Sequence, residues 1–202
     1  MNDEELYFYG KYAGLLEETK ETVLEEMQDI LNGLSNDPEY SPYEHISCRI
    51  KGADSIREKL KKKGYKEDAY TGLKELSDVI GIRIVTHFVG DIYLILENIK
   101  KHENWTVIKE KDYIARPKEN GYRSFHVIFC VPFDGDDIDT VKIELQLRTI
   151  AMDCWAALEH QMRYKKDVNN TTLIASELKR CSDEMASTDL TMQTLRDVLM
   201  MK

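Results

Sequence analysis

Residues 141–149 alternate apolar and polar side chains along their whole length. The apolar positions are Val141, Ile143, Leu145 and Leu147, and the polar positions between them are Lys142, Glu144, Gln146 and Arg148. This period of two predicts a half-buried β-strand with one apolar and one polar face. The polar face aligns an acid, an amide and a guanidinium, and a helical pattern follows the strand directly.

The same patterns predict the other elements of the chain. Apolar residues near helical spacing predict a long helix over residues 5–32, which a turn-forming segment with two prolines ends. Further helices are predicted over residues 53–64, 69–76 and 90–102, and from about 150 to the end with a break near Asp167–Thr171. Further strands are predicted over residues 79–86, 105–114 and 122–132, with a polar loop at Arg116–Gly121. This order indicates an α+β fold, a mixed sheet flanked by helices.

Composition places the chain among globular proteins. It has 202 residues, of which 42% are hydrophobic and 32% charged. It has no apolar run of about 18 residues, and its acidic N-terminus does not resemble a signal peptide, so we expect a cytoplasmic protein without a membrane segment. The cysteines lack metal-ligand spacing and are expected to be reduced thiols rather than zinc ligands: Cys48, Cys130, Cys154 and Cys181.

The net charge of −9 is unevenly distributed. Residues 49–66 contain eight Lys or Arg against two acids, whereas residues 3–29 contain nine acids against two lysines. A basic segment on an acidic protein favours a local polyanion site, such as a nucleoside polyphosphate site. The alternative is a solvated helix whose charges serve solubility.

Two clusters precede the middle of the chain. Arg49 and Lys51 stand before a predicted helix, on which Ser55, Lys59 and Lys62 share one face at spacings of four and three. Asp78 opens a predicted strand that contains Arg83. An arginine in a buried strand is costly unless it is paired, so we expect Arg83 to face an acid or a ligand.

Two further clusters lie downstream. If a strand begins at Tyr122, then Tyr122, Ser124 and His126 share one face, suited to base stacking and hydrogen bonding. The other cluster is the Glu144, Gln146 and Arg148 face. Each cluster alone also has an ordinary structural explanation, such as sheet packing or a satisfied core histidine.

Together the clusters resemble the synthetase domain of the RelA/SpoT superfamily, from about Ser41 to Tyr164. The matching motifs are RIK, SDVIGIRI, KENGYRSFH and IELQLRTIAMDCWAALEH. The resemblance implies a nucleotidyltransferase-like synthetase domain with a mixed, five-stranded-like sheet at residues 41–166. Helical extensions would occupy residues 1–40 and 167–202. From the length of 202 residues we expect no hydrolase domain, as in stand-alone small alarmone synthetases.

The resemblance also implies the reaction. Such enzymes transfer pyrophosphate from ATP to the 3′-hydroxyl of GDP or GTP, and here GMP is a further candidate. Asp78, Glu144 and Gln146 would be catalytic, with Asp78 and Glu144 holding Mg²⁺. The ATP-binding residues would be Arg49 and Arg83 around the adenine, with Lys51, Ser55, Lys59 and Lys62 on the phosphates. The acceptor-binding residues would be Lys118, Tyr122, Ser124, His126, Arg148 and Asp153.

Asp153 departs from the family pattern, because close relatives carry asparagine there to recognise guanine. Guanine offers two adjacent donors, N1–H and N2–H₂, from which a carboxylate can accept hydrogen bonds. Adenine has an acceptor at N1, which a carboxylate repels. We therefore expect Asp153 to be compatible with a guanine acceptor. The apolar stripe on the first helix and the Leu/Met-rich tail favour a homotetramer, as in relatives of this size.

Two alternatives stay open. One is a toxin-like relative that pyrophosphorylates tRNA 3′ ends or adenosine nucleotides. The acidic pI of about 5.1 argues against this, because phosphate contacts dominate nucleic-acid affinity. The other is an inactive nucleotide- or RNA-binding regulator, against which the presence of Asp78 and Glu144 argues.

Overall fold

The structure is a computed structural model that describes residues 1–34, 40–163 and 171–201. The helices are α1 (Asp3–Tyr9), α2 (Ala13–Asn32), α3 (Ala53–Lys62), α4 (Ala69–Glu75), α5 (Val89–Ile99), α6 (Ile150–Arg163) and α7 (Thr171–Met200). The strands are β1 (Tyr43–Ile50), β2 (Ile80–Thr86), β3 (Thr106–Asp112), β4 (Phe125–Gly135) and β5 (Ile138–Thr149). Among the described helices, none combines the length and apolarity that crossing a membrane requires.

One mixed sheet organises the molecule, with the strand order β1-β2-β5-β4-β3. β2 and β5 pair in parallel, and the other neighbours pair antiparallel. Antiparallel β4 and β5 follow each other through a tight turn, whereas parallel β2 and β5 are separated in sequence by α5, β3 and β4. In the strand order β5 is the central strand and β2 is its neighbour, so the parallel pair lies inside the sheet and not at an edge.

The two faces of the sheet differ in chemistry because successive side chains point to opposite sides. On one face Ile82, Leu145 and Val127 are fully or almost fully buried, together with apolar residues of α2 and α5. Each large apolar side chain buried in this way contributes roughly 1.5–3 kcal/mol. The opposite face carries the polar residues of the sequence patterns and is partly open.

Three differences from the predicted elements affect the site or the core. The strand β1 was missed, although Ile46, Cys48 and Ile50 alternate and are half-buried against the core. The fourth strand begins at Phe125 instead of at residue 122. The long N-terminal helix is interrupted at Gly10, whose φ of 52° is a left-handed value that favours glycine, and a 3-10 turn at Gly10–Tyr12 leads into α2.

The predicted break in the C-terminal helices falls largely on residues 164–170, outside the described residues. The boundaries proposed at residues 40 and 166 therefore stay predictions. The four cysteines are free thiols.

Candidate active site

A cleft of about 230 Å³ opens on the polar face of the sheet. Its walls come from β1, the segment before β2, β2 itself and β5. It is lined by Ser47, Cys48, Arg49, Lys51, Asp78, Gly81, Ile82, Arg83, Glu144 and Gln146. Six predicted site residues thus converge on one concave surface.

Strand register explains this convergence. Gly81 of β2 is paired with Arg49 on one side and with Glu144 on the other. In the next row Arg83 is paired with Ser47 and Gln146, and Gln146 in turn with His126 of β4. Because paired residues project to the same face, the predicted ATP side and the predicted acceptor side meet across β2 and β5.

Asp78 lies at one end of the cleft between two ammonium groups. Its carboxylate oxygens accept hydrogen bonds from Lys51 Nζ at 2.5 Å and Lys59 Nζ at 2.7 Å. Burial raises the pKa of Asp78, but the hydrogen bonds from the two lysines outweigh burial, and the net pKa is below the ordinary value. Asp78 is therefore held as a carboxylate.

Glu144 lies in the middle of the cleft and is also mostly buried. Its Oε2 accepts a hydrogen bond from Gln146 Nε2 at 3.0 Å, and its Oε1 is 3.4 Å from His126 Nδ1. Burial raises the pKa of Glu144, while His126 and Gln146 lower it more strongly, so the net pKa is below the ordinary value. A second carboxylate is thus kept ionised in the same cleft.

Glu144 and four other side chains, Gln146, Arg148, Tyr122 and His126, form a closed ring of polar contacts. Arg148 Nη2 donates to Gln146 Oε1 and to Tyr122 Oη, both at 2.8 Å, and Tyr122 Oη lies 2.8 Å from His126 Nε2. Because a guanidinium can only donate, Gln146 must turn its carbonyl to Arg148 and its amide nitrogen to Glu144. The ring fixes the orientation of each member through its neighbours.

Arg83 and Arg148 share one carboxylate. Asp153 Oδ1, at the start of α6, is 2.9 Å from Arg148 Nη1 and 3.3 Å from Arg83 Nη1. Burial lowers the pKa of Arg83, the charge of Arg148 lowers it further, and Asp153 opposes both. The expectation that Arg83 faces an acid is confirmed, and that acid is Asp153.

The ring of Tyr122 is surrounded by cations and aromatic side chains. Lys118 Nζ is 4.6 Å and Arg148 Cζ 5.2 Å from its centroid. Tyr113 packs edge-on against both Tyr122 and His126, with centroids 6.1 and 5.3 Å apart. These contacts place Lys118 beside the ring of polar contacts that contains Tyr122 and Glu144, although Lys118 and Tyr122 both belong to the loop 116–124.

Three predicted site residues lie elsewhere. Ser124 precedes β4, is fully buried, and donates from Oγ to the carbonyl of Leu147, so the prediction that it shares a face with Tyr122 and His126 is wrong. Ser55 and Lys62 do not line the cleft, since Ser55 is exposed and Lys62 Nζ pairs with Glu58 at 2.8 Å. Of the basic helix, Lys59 reaches the site.

Sequence reasoning did not assign a role in the site to Ser47, Gly81 or Tyr113. Ser47 lies opposite Arg83 on the strand that was not predicted. Gly81 forms the floor of the cleft, where an added Cβ would meet no atom within 4 Å. Tyr113 supports the Tyr122 ring from the end of β3. The alternation around β1 was a usable signal for Ser47, whereas the roles of Gly81 and Tyr113 depend on strand pairing.

Two carboxylates with lowered pKa values among arginines and lysines, in a cleft on a mixed sheet, are the kind of site that transfer enzymes use to bind polyphosphates. Residues 48–169 match the family described as the region found in RelA / SpoT proteins. The chain belongs to the RelA/SpoT family. The resemblance and the mixed α+β fold expected from the sequence are thereby confirmed.

Named relatives agree with this assignment. GTP pyrophosphokinase YwaC of Bacillus subtilis (strain 168) is 36% identical over 180 residues, which cover 89% of this chain and 82% of the relative. Small alarmone synthetase 1 from Bacillus subtilis bound to its product pppGpp has a TM-score of 0.79 at 30% identity, covering 95% and 94% of the two chains. The same synthetase bound to AMPCPP has a TM-score of 0.76 at 25% identity, covering 96% and 98%.

Proposed function

We propose that this chain is a GTP pyrophosphokinase that transfers the pyrophosphoryl group of ATP to the 3′-hydroxyl of GDP, GTP or GMP. The observation that carries the proposal is the position of Glu144. It touches His126 and Gln146 on the predicted acceptor side and lines the same cleft as Asp78, Arg49 and Arg83. The names of the relatives support the same reaction.

In the proposed reaction the acceptor 3′-oxygen attacks the β-phosphorus of ATP. The bond between that phosphorus and the oxygen bridging to the α-phosphate breaks, AMP leaves, and Glu144 takes the hydroxyl proton. Lys51 and Lys59 neutralise the phosphate charge, and Arg49 and Arg83 hold the adenine. Phosphoryl transfer of this kind depends mainly on positioning and electrostatic stabilisation, which a preorganised cleft of charged groups supplies.

The donor set of the cleft fits Mg²⁺. Asp78 and Glu144 present hard carboxylate oxygens, both ionised, and Mg²⁺ is usually held by one or two carboxylates together with substrate phosphates and waters. Asp78 and Glu144 would hold the ion. When bound, it would neutralise charge on the transferring group.

The acceptor would lie along loop 116–124, with its base on Tyr122 and its 5′-phosphates toward Lys118 and His126. We also infer a homotetramer, because apolar side chains at the end of α7 are exposed. Leu195, Val198 and Leu199 of α7 are each more than half exposed. Exposed apolar side chains of this kind are commonly buried in an interface between copies of a chain.

The proposal is tested by incubating the protein with ATP, Mg²⁺ and GDP, GTP or GMP, and measuring AMP and the 3′-pyrophosphorylated product by anion-exchange chromatography. We expect equal amounts of both. A 3′-deoxy guanosine nucleotide is the matched control and should give no product. Failure with every guanosine acceptor, combined with turnover of ADP or tRNA, would contradict the proposed acceptor class.

Lys59 provides a test of the donor side. Lys59→Ala is expected to raise the KM for ATP by about tenfold and the KM for GDP much less, because Lys59 borders the donor half of the cleft through Asp78. Lys61→Ala is the matched control, since Lys61 is exposed on the same helix. If the GDP KM rises instead, the donor and acceptor sides are reversed.

Gly81 provides a test of the cleft floor. A valine there fits the strand conformation, so Gly81→Val should not lower the melting temperature. Its side chain would stand between Arg49 and Glu144 and should raise the KM for ATP by at least ~10-fold if the nucleotide occupies that space. Gly81→Ala should have a smaller effect. Unchanged ATP kinetics in Gly81→Val would place the donor outside the cleft.

A further inference from the structure

We propose that α7 positions the acceptor loop, residues 116–124, and that Ser182 is the main positioning residue. This inference rests on the proposed function for the identity of the ligand. Its structural part, the support of the loop by α7, can be measured without any substrate.

The acceptor loop has a tight internal turn. Lys118 N donates to the carbonyl of Tyr122 at 3.1 Å, and Gly121 N donates to the carbonyl of Lys118 at 2.8 Å. Gly121 has a φ of 91°, which favours glycine. This turn brings the Lys118 ammonium over the Tyr122 ring, so both of the proposed acceptor contacts depend on the shape of the turn.

Ser182 of α7 holds this turn from behind. Its side chain is buried, and its Oγ donates to the carbonyl of Gly121 at 2.5 Å. A Cβ added to Gly121 would lie 2.9 Å from Ser182 Cβ and 3.2 Å from Lys179 Cα. The loop and the helix therefore touch almost backbone to backbone, which a side chain at position 121 would prevent.

Arg123 adds a second connection on the other side of Tyr122. Its Nη1 donates to the carbonyl of Ile114 and its Nη2 to Asp183 Oδ1, both at 3.1 Å. Tyr122 thus lies between two residues that α7 contacts directly. A shift of α7 would therefore move Gly121 and Arg123, the two neighbours of Tyr122, together.

The same face of α7 is anchored to the core along its length. Its contacts are Leu178 O with Trp155 Nε1 at 2.8 Å, Asp189 Oδ2 with Thr149 Oγ1 at 2.6 Å, Gln193 Oε1 with Gly90 N at 2.8 Å, and Arg196 Nη1 with buried Asp91 at 2.6 Å. These positions recur at helical spacing. Thr149 is the last residue of β5, the strand that carries Glu144. Because α7 contacts both Thr149 and the acceptor loop, it sets the distance between that strand and the loop.

The test compares Ser182→Ala with Ser187→Ala, the same substitution at an exposed position of the same helix. Hydrogen–deuterium exchange of residues 116–124 should be faster in Ser182→Ala than in wild type and unchanged in Ser187→Ala. The KM for GDP should rise by about 3- to 10-fold in Ser182→Ala, the range expected for one lost hydrogen bond. The KM for ATP should stay within about twofold, since α7 makes none of the cleft walls.

Equal loop exchange in the two variants would overturn the proposal, and so would a rise in the ATP KM as large as that for GDP. Absence of AMP release from the wild-type protein would instead refute the proposed function. In that case the exchange comparison still decides whether α7 positions the loop.

Discussion

Glu144→Gln is expected to reduce kcat at least ~10²-fold while leaving the fold intact. The glutamine amide is nearly isosteric with the carboxylate, and its oxygen can still accept the hydrogen bond from Gln146. The ring of polar contacts therefore keeps that link. The amide cannot take the proton of the acceptor hydroxyl, and it is a weaker ligand for Mg²⁺. Steady-state rates of AMP release with ATP and GDP measure the effect.

The matched control for this variant is Asp139→Asn, an acid-to-amide change at an exposed position of the same strand. We expect it to keep wild-type rates. The melting temperature of Glu144→Gln should stay close to that of the wild type. Near-normal turnover of Glu144→Gln would remove Glu144 from the proposed chemistry.

Most elements of the fold were predictable because their patterns are local. The alternation in β5 and the β-branched run in β2 both gave strands close to their observed bounds. β1 was missed because its alternation includes only three apolar residues, Ile46, Cys48 and Ile50, and an exposed acid, Glu44, occupies the next position of the same row. The break at Gly10 was missed because glycine also occurs within helices, and nothing local requires its positive φ.

The candidate site was predicted in its composition but only partly in its connections. Asp78, Arg83 and Glu144 were singled out from the sequence, and all three line the same cleft; the alternation in β5 indicated the polar face on which Glu144 lies. The contact of His126 with Glu144 could not be predicted, because it depends on the register of β4 against β5. In this register His126 is paired with Gln146, and its side chain reaches diagonally to Glu144 in the next row. A one-residue shift would have turned His126 into the core.

The misplacement of Ser124 has the same origin. The prediction started the strand at Tyr122, whereas the loop backbone turns at Gly121 and the strand begins only at Phe125. Tyr122 contacts His126 from the loop and not from the strand. Ser124 instead donates a hydrogen bond to the carbonyl of Leu147. Loop conformations that depend on a distant helix, here α7, have no local sequence signal.

Asp153→Ala is expected to lower kcat/KM for GDP and GTP by about one to two orders of magnitude. On the predicted role, a lost pair of charge-assisted hydrogen bonds to guanine would be worth roughly 1.5–3 kcal/mol each. The structure adds a second route to the same loss, because Asp153 also holds Arg148, which contacts Tyr122 and Gln146. Both routes weaken the acceptor side.

The contact of Asp153 with Arg83 changes one part of the expectation. From the sequence alone, ATP binding should be unaffected. In the structure, removal of the carboxylate also leaves Arg83 next to Arg148 without the negative charge that offsets their repulsion. We therefore expect the KM for ATP to rise as well, by a smaller factor of about 2–5. Cys154→Ala, at the adjacent exposed position of α6, should change neither constant.

Asp153→Asn separates base recognition from the bridge between the arginines. Asparagine keeps an acceptor oxygen but loses the charge, so a guanine-reading role predicts a mild loss confined to guanine acceptors. A bridging role predicts instead that the KM for ATP and the KM for GDP rise together, because the carboxylate contacts Arg83 as well as Arg148. The measurement is kcat/KM for GDP and for ADP as acceptors, and the KM for ATP, in the wild type and both variants. A constant GDP-to-ADP ratio across all three would exclude base reading by Asp153 and would return an adenosine or RNA-end acceptor to consideration.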